Sequence, residues 1–394
     1  MINYLNTQDI SGKKVIARFD FNVPLKDGQI TDSTRIDLSL DTIKLLIEKG
    51  ASKITMMSHL GRPKGKFDKK LSLEPVAKYI ADKLGIEVVL TESATDRGIK
   101  TLLSLPTTKL VLLENLRFHP EETSNDSEFS RKLASYGDVY LNDAFGTSHR
   151  KHSSVHGIVS HFDHKNVIAG LLIEKELIAL NTVLESPKKP FVGIIGGAKV
   201  SDKIKIIEQL LGPVDHLIIG GAMAYPFLNA KGYSIGKSLC SEEDVILAKK
   251  ILSSKNHAKI ILPSDHIIAE NPDSAPEFSE DENIVDEMMG LDIGEKTVAK
   301  FSDICSKAKT ILWNGPMGLF EIEDFSRGTF SIAKSLSENT ECFSLVGGGD
   351  SVSAVNKSGL SRYMGHISTG GGASLEYIEQ GTLVGVQALK HGLK

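Results

Sequence analysis

An α/β architecture of two doubly wound parallel-sheet domains joined by a hinge helix is predicted by three observations. Apolar runs end in polar or glycine-rich tips, stretches of helical periodicity lie between them, and the chain is 394 residues long. Alternation of strand and helix implies parallel sheets with right-handed crossovers. The length exceeds what one hydrophobic core usually serves, so two domains are expected, each with its own sheet. Open sheets of this kind hold ligands at the carboxyl edge of their strands, and the tips are therefore where the chemistry should lie.

The first run, KVIARFDFNVP at 14–24, starts as a strand buried on both faces and breaks off into Arg18, Asp20, Asn22 and a proline. Residues 34–48 place apolar side chains three and four apart, which predicts an amphipathic helix. Strands follow at 53–58, 109–113 and 139–141, with tips HLGRP, ENLRF and NDAFG. The stretch 170–185, GLLIEKELIALNTVLE, consists of good helix formers with no internal Gly or Pro and predicts a stiff connector. Beyond it, strands are expected at 191–195, 216–219, 259–262, 310–313 and 343–346, and a second amphipathic helix at 241–253. Their tips read GGAKVSDK, GGAM, PSD, NGPMG and GGGDS. No internal repeat and no low-complexity tract interrupts the pattern.

Composition excludes several classes. Hydrophobic residues at 41% and charged residues at 24% describe a globular chain, and a net charge of -4 argues against bulk binding to nucleic acid. Cys240, Cys305 and Cys342 form no CxxC and cannot all pair, which favours a reducing compartment over a disulfide scaffold. The start MINYLNTQDI has no basic region followed by an apolar one, and no apolar run approaches a membrane span. A cytoplasmic protein is expected.

The two halves differ in their tips. The first contributes Arg18, Asp20, Asn22, Arg35, His59, Arg62, Arg117, His149, Arg150 and His152. Any one arginine is as readily a solvated surface charge, but nearly all follow a predicted strand. Guanidinium forks gathered around one pocket suit a small polyanion. His149 and His152 are three apart without a Cys or close carboxylate to complete a metal set, so substrate contacts or structural hydrogen bonds are expected rather than zinc.

The second half is tipped with glycine: Gly196-Gly197 followed by Lys199 and Lys203, Gly220-Gly221, Gly347 to Asp350, and Gly370 to Gly372. Glycines between strand and helix let backbone amides approach a phosphate, aided by the helix N-terminus. A single GG pair would read as a tight turn; four such tips point to a nucleotide. Lys199 and Lys203, four apart, would share one face of a helix start. Asp350 suits Mg²⁺, which takes one or two carboxylates plus phosphate oxygens and water, although an isolated Asp there is more often a cap.

Standard nucleotide motifs are absent. GYSIGKS at 232–238 misses the P-loop by one residue, GRPKGKF at 61–67 misses its spacing and hydroxyl, and Gly347 and Gly349 are followed by Val352 where GxGxxG needs a third glycine. A nicotinamide dehydrogenase loses its main support. Another carboxylate kinase that makes acyl phosphates, and a catalytically inactive nucleotide-binding scaffold, stay open on this reading.

RFDFNVP at 18–24, SHLGRP at 58–63, ENLRF at 114–118, DAFGTSHRKHSS at 143–154, GGAKVSDK at 196–203, WNGPMGLFE at 313–321, GGGDS at 347–351 and STGGGASLE at 368–376 form an ordered series. In all of them, and essentially end to end, the chain resembles the phosphoglycerate kinases; Tyr225-Pro226 departs from the pattern outside the motifs. The resemblance implies reversible phosphoryl transfer from 1,3-bisphosphoglycerate to MgADP by a hinge-bending monomer. It implies a phosphoglycerate-binding domain over 1–170, with 379–394 packing back on it, and a nucleotide-binding domain over 171–378. Asp20, Asn22, Arg35, His59, Arg62, Arg117 and Arg150 would bind phosphoglycerate. Lys199, Lys203, Gly290, Asn314, Glu321 and Gly348, Gly349, Asp350 and Ser351 would bind ATP or ADP, with Glu321 on the ribose and Asp350 on Mg²⁺. Arg35, Lys199 and the amides of Gly348 and Gly371 would stabilise the moving phosphoryl group. The attacking oxygen is already anionic near neutral pH in either direction, which explains why no nucleophile-and-base set appears.

Overall fold

The computed structural model describes residues 1–393. By its contacts the chain divides into two compact units, Met1–Ile178 together with Thr382 onward, and Ala179–Gly381.

The first unit is built on β1 (Asn3–Tyr4), β2 (Lys14–Arg18), β3 (Lys53–Met57), β4 (Val88–Leu90), β5 (Leu110–Leu112), β6 (Val139–Asn142) and β7 (Val167–Ala169). They lie in the order β1-β7-β6-β2-β3-β5-β4, every neighbouring pair parallel. Val15, Ala17, Ile54 and Met56 are fully buried in the core, against which the helix Thr34–Glu48 lays Ile36, Leu40, Ile43 and Leu46. Each of these larger aliphatic side chains stabilises the fold by about 1.5–3 kcal/mol on transfer from water, the alanine by less. From β2 the chain runs outward through β3, then returns to place β6 on β2's other side. Connections therefore leave in opposite directions between β2 and β6, which makes the crevice beyond their carboxyl ends the ligand position of this sheet.

In the second unit the chain passes through β8 (Phe191–Ile195), β9 (His216–Ile219) and β10 (Ile260–Ile261). It then makes β11 (His266–Ala269), β12 (Glu277–Phe278) and β13 (Met289–Ile293), and returns through β14 (Thr310–Asn314), β15 (Phe343–Gly347) and β16 (His366–Ile367). The main sheet is parallel in the order β10-β9-β8-β14-β15-β16, and its direction of travel reverses between β8 and β14. Trp313, Val192, Ile194 and Val346 lie in its core.

The doubly wound parallel sheets are present in both units, with four further short strands, β1, β4, β7 and β16, joining their sheets. At two or three residues each, these lack any periodic signal and exist because a neighbouring strand pairs with them. The antiparallel sheet β12-β11-β13 is also additional to the expected alternation. The helix at 34–48 occupies those residues, and that at 241–253 runs Glu242–Leu252, with Ser241 as a cap whose hydroxyl accepts from Asp244 N at 3.1 Å. The connector forms Leu171–Leu184, and Asp143 Oδ1 accepts from Leu172 N at 2.8 Å in its first turn. The two units part within this helix, after Ile178, rather than at its start. Pro226 falls in the first turn of the helix Ala224–Ala230, where its missing N–H breaks no intrahelical bond. The helix Val384–His391 lies on the first unit, where Gly385 N donates to Ser148 O at 2.8 Å. Among the described residues no helix is long and apolar enough to cross a membrane.

Candidate active site

After β2 the side chains alternate: Phe19 and Phe21 stack in the core at 5.2 Å between centroids, and Asp20 and Asn22 between and beyond them make polar contacts. Asp20 Oδ2 accepts from Arg35 Nη1 at 2.8 Å and so joins the β2 tip to the helix Thr34–Glu48. Asn22 Oδ1 accepts from Gly61 N at 2.9 Å, joining the same tip to the one after β3. Asn115 staples the third tip to the second, since its Nδ2 donates to Leu60 O at 2.7 Å while its Oδ1 accepts from Arg117 N at 3.1 Å.

Arg117 is buried and donates from Nη1 to Gly61 O at 2.8 Å, but its Nε and Nη2 are buried with no protein partner. A cavity of about 560 Å³ opens beside it, walled by Arg62, Lys64, Arg117, Arg150 and His152. Burial, reinforced by Arg150 and Arg18, lowers Arg117 to about 10, so it stays protonated at neutral pH. Burial and the same cations push His152 down to about 3 and His59 well below its ordinary value. The histidines are consequently neutral and the guanidiniums charged. A buried donor left unpaired costs about 1–3 kcal/mol, and an anionic ligand would remove that cost.

The six residues Asp20, Asn22, Arg35, His59, Arg117 and Arg150 come from four tips and one helix, while Arg62 stands exposed on the cavity wall. Arg18 does not belong to the cleft, contrary to expectation: it is fully buried, because it is the last residue of a strand covered on both faces. His149 Nε2 accepts from Arg150 Nε at 3.2 Å and orients that arginine. Lys64, on the cavity wall, was missed; it follows Arg62 by two residues in GRPKG, and that proximity was the available signal.

The second unit has a cavity of about 390 Å³ at its switch point, walled by Gly197, Gly221, Gly290, Pro316, Glu321 and Asp350 among others. Gly348 and Gly371 cap the helices Gly349–Lys357 and Gly372–Gln380 with φ of 91° and 53°, a region that favours glycine. Asn314 and Ser351 are buried beneath the cavity rather than on its wall. Asn314 Nδ2 donates to Gly347 O at 2.7 Å and its Oδ1 receives Lys203 Nζ, while Ser351 Oγ accepts from Gly315 N. These bonds lock the glycine tips of β14 and β15 together. Burial lowers Lys203, and Asp350 opposes that shift. Lys199 and Lys203 do not share a helical face: the helix Ile204–Leu211 begins after Lys203, leaving Lys199 exposed on the preceding loop. Two glycines and the turn at 201–203 delay helix nucleation there. Tyr225, Leu239 and Leu291 supply an apolar wall that the reading of glycine tips had missed, because they come from elements outside those tips.

The donor set of the second cavity fits Mg²⁺. Asp350 offers one exposed carboxylate in the first turn of a helix, and Mg²⁺ at a nucleotide needs little more, since phosphate oxygens and water complete its octahedron.

A family model described as phosphoglycerate kinase matches residues 5–381. Proteins named phosphoglycerate kinase from Clostridium botulinum and Clostridioides difficile are each 47% identical to the chain, over 388 and 390 residues, covering 97% of it and 96% of each relative. Among solved structures, phosphoglycerate kinase from Coxiella burnetii is similar with a TM-score of 0.91 at 37% identity, covering 100% of both chains. That from Pyrococcus horikoshii gives 0.83 at 31% identity, covering 99% of this chain and 98% of its own.

Proposed function

The chain belongs to the phosphoglycerate kinase family and catalyses the reversible transfer of a phosphoryl group between 1,3-bisphosphoglycerate and ADP, and we propose that its two cavities divide that work. The arginine-lined cavity takes the phosphoglycerate, with Arg62, Arg117 and Arg150 on its phosphate and Asp20, Asn22 and His59 on the glycerate portion. The observation that carries this reading is the buried Arg117 with two unpaired donors on the wall of a cationic cavity. The glycine-lined cavity takes ATP or ADP: Glu321 faces the ribose, Lys199 and Lys203 the phosphates, and Gly290 the apolar wall.

Arg35 from the first unit and Lys199 from the second clamp the oxygens of the phosphoryl group in flight, and the amides of Gly348 and Gly371 donate to it. No proton has to be removed, so the work of these residues is positioning and charge stabilisation. Asp350 would hold the Mg²⁺, which would neutralise charge on the nucleotide phosphates. In-line transfer needs the reacting atoms roughly 3–3.5 Å apart, while exchange of two charged substrates needs an open path. A hinge reconciles the two demands, the stiff helix Leu171–Leu184 transmitting the rotation while positions near its ends and near Ser368 to Gly372 absorb the backbone change. We place this activity in a monomer of the reducing cytoplasm; the free cysteines agree with that compartment, and the acidic net charge argues against nucleic acid as a partner.

A coupled assay with 3-phosphoglycerate and MgATP tests the reading. Turnover that EDTA abolishes, and that acetate as acceptor does not support, is expected. Equal turnover on acetate would instead favour a general carboxylate kinase.

A further inference from the structure

Of the arginines Arg18, Arg35, Arg62, Arg117 and Arg150 at the first unit's tips and its helix, the fully buried Arg18 is the one that the phosphoglycerate reading leaves without work. Its Nε donates to Ser154 Oγ at 2.9 Å. Ser154 Oγ donates in turn to Glu122 Oε1 at 2.6 Å, and Ser154 N donates to Glu122 Oε2 at 3.0 Å. Glu122 is likewise fully buried, and both its oxygens only accept, the pattern of an ionised carboxylate. A guanidinium, a hydroxyl and a carboxylate thus form one polarised chain in which each hydrogen bond strengthens the next. Without the carboxylate the buried guanidinium would lose the larger of its two compensating charges, leaving Asp20.

At its other end the same guanidinium meets His59. Arg18 Nη2 lies 3.1 Å from His59 Nδ1. A guanidinium has donors only, so Nδ1 must be the acceptor and carries no proton. Asp20 Oδ1, at 3.9 Å from Nδ1, is too far to hold a proton there. The neutral ring therefore keeps its proton on Nε2, the nitrogen that Arg18 does not engage. The other groups around the ring, Arg117, Arg150 and His152, are cations or neutral, and burial with these charges keeps His59 from protonating.

We propose that Glu122, acting through Ser154 and Arg18, is a positioning residue that fixes the Nε2–H tautomer of His59 and so supplies the phosphoglycerate site with a fixed neutral donor. The inference rests on the reading of His59 as a phosphoglycerate contact. Glu122 precedes the DAFGTSHRKHSS motif by some twenty residues and stands in none of the segments that carry the chemistry.

Long-range nitrogen–proton NMR of the imidazole side chains in the whole enzyme reads the tautomer directly. The wild type should show His59 protonated at Nε2 alone, and 3-phosphoglycerate should shift that resonance. Glu122→Gln should mix the tautomers and raise KM for 3-phosphoglycerate about tenfold, the loss of one well-placed hydrogen bond to an anion, with KM for MgATP unchanged. Ser154→Ala, a smaller disturbance, should act in the same direction. An Nδ1–H tautomer in the wild type overturns the proposal without any variant. So does an unchanged tautomer and KM in both variants. A His59 resonance indifferent to 3-phosphoglycerate would instead remove the underlying reading of His59, whatever its tautomer.

Discussion

In the first unit the groups proposed to meet an anion are side chains, whereas in the second they are mostly backbone amides and the ends of helices. The arginine cavity is assembled by Asp20, Asn22 and Asn115, which tie three tips and a helix together through bonds of 2.7–3.1 Å. The glycine cavity is assembled by Asn314 and Ser351, whose side chains bond the backbone of Gly347 and Gly315 under the tips. The difference teaches where each is vulnerable. A side-chain site fails when a charge or a fork is altered, and a backbone site fails when a Cβ is added.

Arg35→Ala should have the largest effect, because Arg35 is proposed to contact charge that moves during transfer. We expect kcat to fall about 10²–10³-fold, as for loss of one preorganised donor, with ATP affinity changed by less than about twofold. Steady-state kinetics beside calorimetry checks this, and a near-normal kcat would break the proposed division of roles.

Gly348→Ala attacks the other side of the comparison. The residue sits at φ 91°, and an added Cβ would lie 2.5 Å from Asn314 Nδ2. Strain of about 1–3 kcal/mol should appear in urea unfolding, together with a raised KM for MgATP and an unaltered affinity for 3-phosphoglycerate. An affinity lost for both substrates would mean that the two cavities are not independent.

Arg117→Lys keeps the charge and removes the planar fork. Binding of 3-phosphoglycerate should weaken about tenfold in calorimetry while MgATP binding holds, since the unpaired Nε and Nη2 have no counterpart in an ammonium. Retained affinity would show that charge alone, rather than two-point geometry, makes the site.

The smallest effect concerns pH. His152 is held at about 3 in the folded chain against 6.5 in the unfolded one. Between those values the unfolded chain binds the extra proton, so stability rises with pH there and is lost as pH falls from about 6.5 toward 3. His152→Gln should make the slope of unfolding free energy against pH shallower by up to one proton in that window. In the second unit Asp292, raised to about 7 by burial, works the opposite way, losing stability as pH rises from about 4 to 7. An Asp292→Asn variant that steepened the loss on that side would contradict the assignment.

The sequence carries local information well. Apolar runs that alternate with helical periodicity announced both parallel sheets, the connector at 171–184 and the two kinds of tip, because strand and helix periods are written into neighbouring residues. The motifs of those tips were sufficient to point to the family. What the tertiary structure decided is which tips meet and which side chains are neutralised there. Arg18 and Arg117 look alike in sequence, each at or just past the end of an apolar run, yet one is fully buried against Ser154 and Glu122 while the other leaves two donors at a cavity wall. Lys199 and Lys203 are four apart, but only Lys203 is drawn under the tips by Asn314, more than a hundred residues away in the chain. Strand order, burial and partnership at such distances arise from contacts between remote segments, and no period or spacing within one segment encodes them.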